Sequence, residues 1–144
     1  MFTRRKFLKT VGGAVTLTGA PLLLQSCAAG LAAYRGEFDG TTIMVPQSAA
    51  AALATPNGMI LVRAPNLPIT IVLRRLDGQN LTALSTVCTH KGCEVRVLPD
   101  AFECPCHGSS YHLDGTVEEG PASQSLQSFA VRETAESIFI QVKK

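Results

Sequence analysis

The residues whose types and spacing point to chemistry lie between Cys88 and Tyr111. A first short loop, residues 88–93, contains a Cys-x-His pair, and a second, residues 104–109, contains a Cys-x-x-His pair, with one further cysteine inside each loop. Thiolate sulfur and imidazole nitrogen are both good metal ligands. A 2Fe–2S centre with two cysteines on one iron and two histidines on the other could take one ligand for each iron from each loop. The pattern therefore predicts a metal centre shared by the two loops.

The same stretch reads CTHKGC and then CPCHGSSY, and it resembles the Rieske iron–sulfur protein family in its high-potential, disulfide-containing branch. The resemblance implies one 2Fe–2S cluster per chain as the cofactor. It implies that Cys88 and Cys104 hold the inner iron, and that His90 and His107 hold the outer iron. At the level of the motif it covers residues 88–122.

Two cysteines of the loops, Cys93 and Cys106, are left over once the ligands are chosen. In an oxidising compartment they could pair and join the loops, and the resemblance implies this disulfide. A structural zinc site with two cysteines and two histidines is one alternative for the whole set. A second is a pair of structural disulfides with incidental histidines. Zinc alone leaves a spare cysteine in each loop unexplained.

Two residues after the second loop's histidine are candidates for tuning the cluster. In the resembled family, the serine of CHGSxY donates a hydrogen bond to a bridging sulfide and the tyrosine donates to a ligand cysteine. These positions are Ser109 and Tyr111 here, and Tyr111 would reach Cys88. Such hydrogen bonds favour the reduced cluster, so we expect a potential in the upper half of the Rieske range of about −150 to +300 mV. The alternatives are a turn cap for Ser109 and a core ring for Tyr111. Residues 120–122, Gly-Pro-Ala, resemble the proline loop that covers the cluster in this branch, or are a plain surface turn.

The composition favours an all-β fold in one domain. The chain has 144 residues, 46% of them apolar, with 12 glycines and 8 prolines, which suits short strands joined by many turns. Apolar and β-branched runs at 58–62, 69–76 and 81–87, and a last hairpin expected over 126–142, predict antiparallel strands. The resemblance implies stacked antiparallel sheets with the two loops forming a cluster-binding tip. The domain is expected over residues 39–144.

Residues 1–26 are predicted to be an export signal. TRRKFLK contains a twin arginine and resembles the signal of the pathway that exports folded proteins, often with the cofactor inserted. The apolar stretch that follows is interrupted by three glycines and a proline and is short of the roughly 20 residues that a membrane-spanning helix needs. An uncleaved amphipathic anchor is the alternative. The chain is therefore expected on the periplasmic or exoplasmic face of a bacterial membrane.

Cys27, the fifth cysteine, follows Leu24, Gln25 and Ser26. Leucine at −3 and a small residue at −1 resemble a bacterial lipobox, although Gln25 is a poorer fit. If the resemblance holds, Cys27 is lipidated after cleavage and anchors the chain to a membrane surface; otherwise it is incidental to an ordinary signal peptide. Residues 27–38 are then a tether.

The charge pattern argues against nucleic acid as a partner. Four of the 13 basic residues lie in the first nine positions, and beyond residue 26 nine basic residues face eleven acidic ones. Arg74 and Arg75 are interpreted as solvated charges at a sheet edge. Lys91 stands in the first loop where quinol-oxidising members of the family usually have leucine, which weakens docking into an apolar quinol pocket and suggests a polar or acidic partner.

The leading functional hypothesis is a one-electron carrier with no substrate site of its own, whose partner is a cytochrome or the large subunit of an oxidoreductase. The second is a Rieske subunit of an oxidoreductase complex, either a quinol–cytochrome c oxidoreductase or an enzyme similar to arsenite oxidase. A ferredoxin of a ring-hydroxylating dioxygenase is disfavoured because those ferredoxins are cytoplasmic and lack the paired cysteines. Whether the chain belongs to an enzyme is left open by the sequence.

Overall fold

The structure is a computed structural model that describes residues 31–76 and 80–143. The predicted export signal, Cys27 and the first residues of the tether lie outside the described residues. No helix among the residues described is long and apolar enough to cross a membrane.

The described chain is built from short strands. In order these are β1 (Ala32–Arg35), β2 (Thr42–Pro46), β3 (Met59–Ala64), β4 (Leu67–Leu76), β5 (Asn80–Ser85), β6 (Arg96–Val97), β7 (Phe102–Glu103), β8 (Ser110–Tyr111), β9 (Val117–Glu119), β10 (Ser128–Glu133) and β11 (Ser137–Gln141). Two short 3-10 helices, Gln47–Ala49 and Ala51–Ala54, connect β2 to β3.

The strands form two sheets. The larger has the order β1-β3-β4-β5-β10-β11-β2 and the smaller has the order β6-β7-β8-β9. Neighbouring strands pair antiparallel, except that β1 runs parallel to β3. The all-β fold with stacked sheets is confirmed, as is the last hairpin, formed by β10 and β11.

One core lies within the larger sheet. In strands β2 and β11, buried residues alternate with less buried ones, so every second side chain points into the core. Side chains of β3 and β4 that point to the same side of the sheet complete this first core. Its fully buried aliphatic residues include Ile43, Val45, Ile60, Val62, Ile71, Leu73, Ile138 and Ile140.

A second core lies between the larger sheet and the smaller one. Val72, between the inward-facing Ile71 and Leu73 of β4, points to the opposite face and packs with Phe102 and Tyr111 of the smaller sheet. Because β4 is covered on both faces, its residues from Ile71 to Arg74 are all buried. The smaller sheet therefore rests on the outer face of the larger one.

Burial of β4 on both faces corrects the expectation that Arg74 and Arg75 are solvated. Arg74 shares the face of Val72 and is only 1% exposed. Arg75 is partly buried on the other face, where its guanidinium contacts Glu133 at 2.8 Å and donates to the carbonyl of Leu53 at 2.8 Å. A run of alternating residues cannot reveal that a second layer will cover the outer face of a strand.

The tether expected over residues 27–38 is also corrected in its second half. Residues 32–35 form β1, paired with β3 from Ala32 opposite Ile60 to Arg35 opposite Arg63. The folded domain thus begins before the expected boundary at residue 39.

Candidate metal centre

Both candidate loops emerge from one end of the smaller sheet. Residues 86–87 lead from β5 into the first loop, which is closed by an isolated bridge between Val87 and Glu94. The hairpin of β6 and β7 then joins the first loop to the second, and β8 begins directly after the second loop. The hairpin therefore places the two loop tips side by side.

The two loops have the same backbone turn. In the first, the N–H of Cys88 donates to the carbonyl of Cys93 at 2.8 Å and the N–H of Gly92 donates to that of Cys88 at 2.9 Å. The second loop repeats both bonds from its own first cysteine and its own glycine, at 2.7 and 3.0 Å. Both glycines have φ of +79°, a left-handed conformation that side chains disfavour. The glycine of each loop is thus required by its turn.

A disulfide joins the two loops. Cys93 and Cys106 are bonded, with their Cα atoms 6.5 Å apart, and Cys88 and Cys104 are free and buried. The sulfur atoms of Cys93, Cys104 and Cys106 all lie within 4.8 Å of one another. Two of these sulfurs are consumed by the disulfide, so Cys104 alone of that trio can act as a thiolate ligand. The predicted pairing of Cys93 with Cys106 is confirmed.

The histidines of the two loops face each other. The ring centroids of His90 and His107 are 4.8 Å apart and the rings are nearly perpendicular, at 89°. His90 is half-buried and its Nδ1 is buried without a hydrogen-bond partner among the described residues, whereas His107 is exposed. Desolvation, and then the positive charges of His107 and Lys91, lower the pKa of His90. A neutral imidazole with an unpaired buried nitrogen is suited to binding a metal ion.

Cys88 is surrounded by hydrogen-bond donors. The hydroxyl of Tyr111 lies 3.2 Å from its Sγ. Burial raises the pKa of the Cys88 thiol, but the Tyr111 hydroxyl, the backbone N–H groups of His90 and Lys91 and the thiol of Cys104 outweigh it, and the net pKa lies below its usual value. Burial and the neighbouring Cys88 raise the pKa of Tyr111. Tyr111 therefore keeps its proton and donates to a thiolate at Cys88.

Thr89 contributes to this network, and the sequence analysis did not identify it. Its backbone N–H donates to the Tyr111 oxygen at 3.1 Å, and its hydroxyl, also 3.1 Å from that oxygen, donates to the carbonyl of Gln124 at 2.5 Å. Thr89 thus connects the first loop to the segment that follows residues 120–122. A threonine between two ligands was the only available sequence signal, and it does not reveal a contact 35 residues away.

The segment expected as a proline loop contacts the second loop. The N–H of Ala122 donates to the hydroxyl oxygen of Ser109 at 2.9 Å, and Ser109 is fully buried. Because that oxygen accepts a hydrogen bond, its own proton remains available, and no acceptor for it is found in the described part of the chain. Ser109 is therefore both a support for the segment and a free buried donor.

Together, these side chains fit a 2Fe–2S centre with mixed ligands. Two buried thiols are free, one histidine nitrogen is buried and unpaired, and the two histidine rings approach each other across a disulfide. A Cβ added to either loop glycine would meet no atom within 4 Å, so the backbone leaves open space at both turns. The donor set is the one that such a cluster requires.

The comparisons with known proteins agree with this geometry. Residues 39–130 match the family model of the Rieske [2Fe-2S] domain. The cytochrome b6-f complex iron-sulfur subunit of Gloeobacter violaceus is 33% identical over 141 residues, which cover 86% of this chain and 74% of that protein. The subunit of the same name from Chlorobaculum thiosulfatiphilum is 37% identical over 87 residues, covering 59% of this chain and 47% of that protein.

Among solved structures, the apo form of a quaternary ammonium Rieske monooxygenase matches with a TM-score of 0.59 and 25% identity, over 74% of this chain and 34% of that one. The chain spans less than half the length of the Chlorobaculum relatives that it matches. On the family-model match and the relative from Gloeobacter, the chain belongs to the Rieske [2Fe-2S] family and carries one 2Fe–2S cluster.

Proposed function

We propose that the chain is a one-electron carrier in which Cys88 and Cys104 ligate one iron of the cluster and His90 and His107 ligate the other. The observation that carries the proposal is the approach of the two histidine rings to 4.8 Å beside two free, buried thiols. Cys93 and Cys106 are excluded as ligands by their disulfide. When bound, the cluster supplies reversible one-electron chemistry.

The chain's own residues hold, orient and shield that centre. The disulfide and the two equivalent turns fix the spacing of the loops. Tyr111 donates to the Cys88 sulfur, and Ser109 offers its free proton within the same buried region. Hydrogen bonds to sulfur stabilise the more negative, reduced form, so these two residues raise the reduction potential. His107 is exposed at the tip and provides the side on which an electron can leave.

Electron paramagnetic resonance of the dithionite-reduced, purified full chain tests the ligand set. We expect the rhombic signal of a histidine-ligated 2Fe–2S cluster together with about two irons per chain. His107→Cys should keep the iron but replace the signal with that of a cluster bound by three cysteines and one histidine, while exposed His112→Cys is the matched control. A colourless protein containing zinc would refute the proposal in favour of a structural zinc site.

We further propose that the chain works on the outer face of a bacterial membrane, delivered by the twin arginine and anchored through Cys27. The disulfide between the loops supports an oxidising compartment. Cys27→Ser should release the exported chain from membranes into the soluble fraction and remove the mass of the lipid from its N-terminus. Arg4→Lys with Arg5→Lys should block export, whereas Lys9→Arg should not. Unchanged membrane association in Cys27→Ser would refute the lipid anchor.

Membership of a larger redox complex is the second candidate. It is favoured by the relatives from Gloeobacter and Chlorobaculum, which are named as subunits of the cytochrome b6-f complex. Against docking into an apolar pocket stands Lys91, exposed in the first loop and the only charged residue, histidines aside, in residues 88–93 and 104–109. Purification from native membranes in mild detergent decides: recovery with a cytochrome-containing complex supports the subunit, and recovery alone supports the free carrier.

A further inference from the structure

Arg74 is a buried cation for which the described residues 31–76 and 80–143 provide no matching anion. It is 1% exposed, and its guanidinium donates from Nη2 to the carbonyl of Pro99 at 2.9 Å. Its Nε and Nη1 are buried and find no hydrogen-bond partner in the described part of the chain. Burial lowers the pKa of Arg74 below its usual range, but an arginine remains protonated at neutral pH.

The neighbours of Arg74 do not neutralise its charge. The residues opposite it on the adjacent strands are Met59 and Thr82, which are uncharged. No carboxylate among residues 31–76 and 80–143 lies within ion-pairing distance of Arg74. The ion pair of Arg75 with Glu133 is on the other face of β4. A buried charge keeps more of its electrostatic effect than a solvated one, because water and salt do not screen it.

Arg74 also belongs to the layer that carries the metal-centre loops. It follows Val72 by two residues on the same face of β4, about 7 Å along the strand. Val72 packs in one core with Cys88, Cys104 and Tyr111. Pro99, which accepts the hydrogen bond, lies in the turn of the hairpin that joins the two loops, where the N–H of Leu98 donates to the carbonyl of Ala101. The guanidinium therefore sits between the larger sheet and the hairpin that spaces the ligands.

We propose that Arg74 is a positioning residue for electron transfer, a fixed buried charge that raises the reduction potential of the cluster. The inference rests on the proposed function. One-electron reduction by the partner protein adds one negative charge to the centre and changes no bond to Arg74. A positive charge in the same poorly solvated layer favours that added charge. Burying the guanidinium with two nitrogens that are unpaired among the described residues costs stability, and the effect on the potential gives that burial a function.

Redox titration of the full chain with four variants tests the inference. Arg74→Met and Arg74→Gln remove the charge, the second keeping a side chain that can donate to Pro99, and Arg74→Lys keeps the charge. Arg96→Met is the matched control, since Arg96 is an exposed arginine on β6 of the same hairpin. At the wild-type midpoint, the ratio of reduced to oxidised cluster should fall about three- to tenfold in both neutral variants, which is a shift of about 30 to 60 mV at 59 mV per tenfold. Arg74→Lys and Arg96→Met should stay close to wild type.

The outcomes distinguish an effect of the Arg74 charge on the reduction potential from a purely structural role of Arg74. An unchanged midpoint in the neutral variants, with a lower unfolding temperature, would overturn the inference and leave Arg74 a structural residue. An equal fall in Arg74→Lys would also overturn it, because the guanidinium contact with Pro99 would then matter and the charge would not. If Arg74→Met fails to load iron, Arg74→Gln decides, and failure of both while Arg74→Lys loads would again argue for structure alone. A wild-type chain without the cluster signal would refute the proposed function itself.

Discussion

The two loops of the metal centre have the same backbone and different surroundings. Each closes with the same pair of backbone hydrogen bonds and a glycine at φ of +79°. The first loop is held by side chains: Tyr111 contacts Cys88, and Thr89 binds both Tyr111 and Gln124. Among the described residues, the second loop has one such support, in which the N–H of Ala122 donates to the hydroxyl oxygen of Ser109. Equivalent turns thus place the proposed ligands, and unequal surroundings distinguish them.

This difference distinguishes the features that set the spacing of the loops from those that tune the reduction potential. The spacing of the proposed ligands depends on the hairpin, the turns and the disulfide, which treat both loops alike. In the first loop, burial raises the pKa of the Cys88 thiol, but hydrogen bonds, first of all from Tyr111, lower it further. Desolvation, and then the charges of His107 and Lys91, lower the pKa of His90. Changes to the shared features should therefore affect stability and loading, whereas changes to the surroundings should affect the potential.

The largest effect is expected from removing the connection between the loops. The double variant Cys93→Ala with Cys106→Ala opens a disulfide with a sequence separation of 13, and a loop of that size is stabilised by about 3 kcal/mol. We expect the free energy of unfolding to fall by about that amount and iron to be lost more readily under dilution. Denaturant titration with iron analysis measures both, and Cys27→Ser is the control that removes a cysteine outside the loops. Unchanged stability and loading would show that the hairpin alone spaces the loops.

The next effect tests whether the turns are equivalent. Gly92→Ala and Gly108→Ala each force an L residue into a left-handed conformation, at a cost of about 1–2 kcal/mol. A Cβ at either position meets no protein atom within 4 Å, so conformational strain is the loss expected within the polypeptide. The two variants should lose similar stability in denaturant titration. Gly120→Ala, where the nearest atoms are 3.6 Å away or more, should lose little. A large difference between the two loop variants would contradict the equivalence.

The disulfide is the part of the centre that the sequence predicted and the structure confirms, and it joins two motifs with local spacing. Cys88, His90, Cys104 and His107 were proposed as ligands from the same two motifs. These motifs each lie within six residues, so the backbone of one turn brings their side chains together. The all-β fold also followed from turn residues and β-branched runs.

What the sequence did not predict depends on contacts between distant segments. Arg74 was expected in solvent as a charge at a sheet edge, while its burial depends on a second sheet that begins 22 residues later. Thr89 was missed because its partner Gln124 lies beyond the second loop. β1 was taken for a tether because its composition is that of a linker, and its pairing with β3 is a long-range interaction. Short motifs in the sequence therefore predict the chemistry of the site, whereas the residues that surround the site become visible only in the packing between the two sheets.

A smaller effect distinguishes the surroundings of the two loops. Tyr111→Phe removes the donor to Cys88 in the first loop without changing the ring, and Ser109→Ala removes the free proton near the second. If the hydrogen bond to sulfur is about 1 kcal/mol stronger in the reduced state, the midpoint falls by about 40 mV. Redox titration should show a fall in each variant with iron content unchanged. Ser110→Ala, next to both residues but donating to Glu118, is the control. A midpoint unaffected by Tyr111→Phe would refute the tuning role.

The smallest effect is expected from Glu133 in the larger sheet, which serves as a control site outside both loops. Hydrogen bonds from Arg75 and then from Gln47 lower the pKa of Glu133 below its usual value of 4.5. A carboxyl with a lowered folded pKa stabilises the folded state above the unfolded pKa, and this contribution is lost as the pH falls through the folded pKa. The Glu133 side chain is 34% exposed, so solvent screening limits the contribution to about 0.5 kcal/mol. Glu133→Gln should lose that stability near neutral pH and match wild type in acid, with Glu136→Gln as control. The reduction potential of Glu133→Gln should equal that of the wild type, because the change lies on the face of β4 opposite the metal centre. A shifted potential in this variant would mean that the potential responds to the stability of the whole domain. The contrast between the two loops would then not be local.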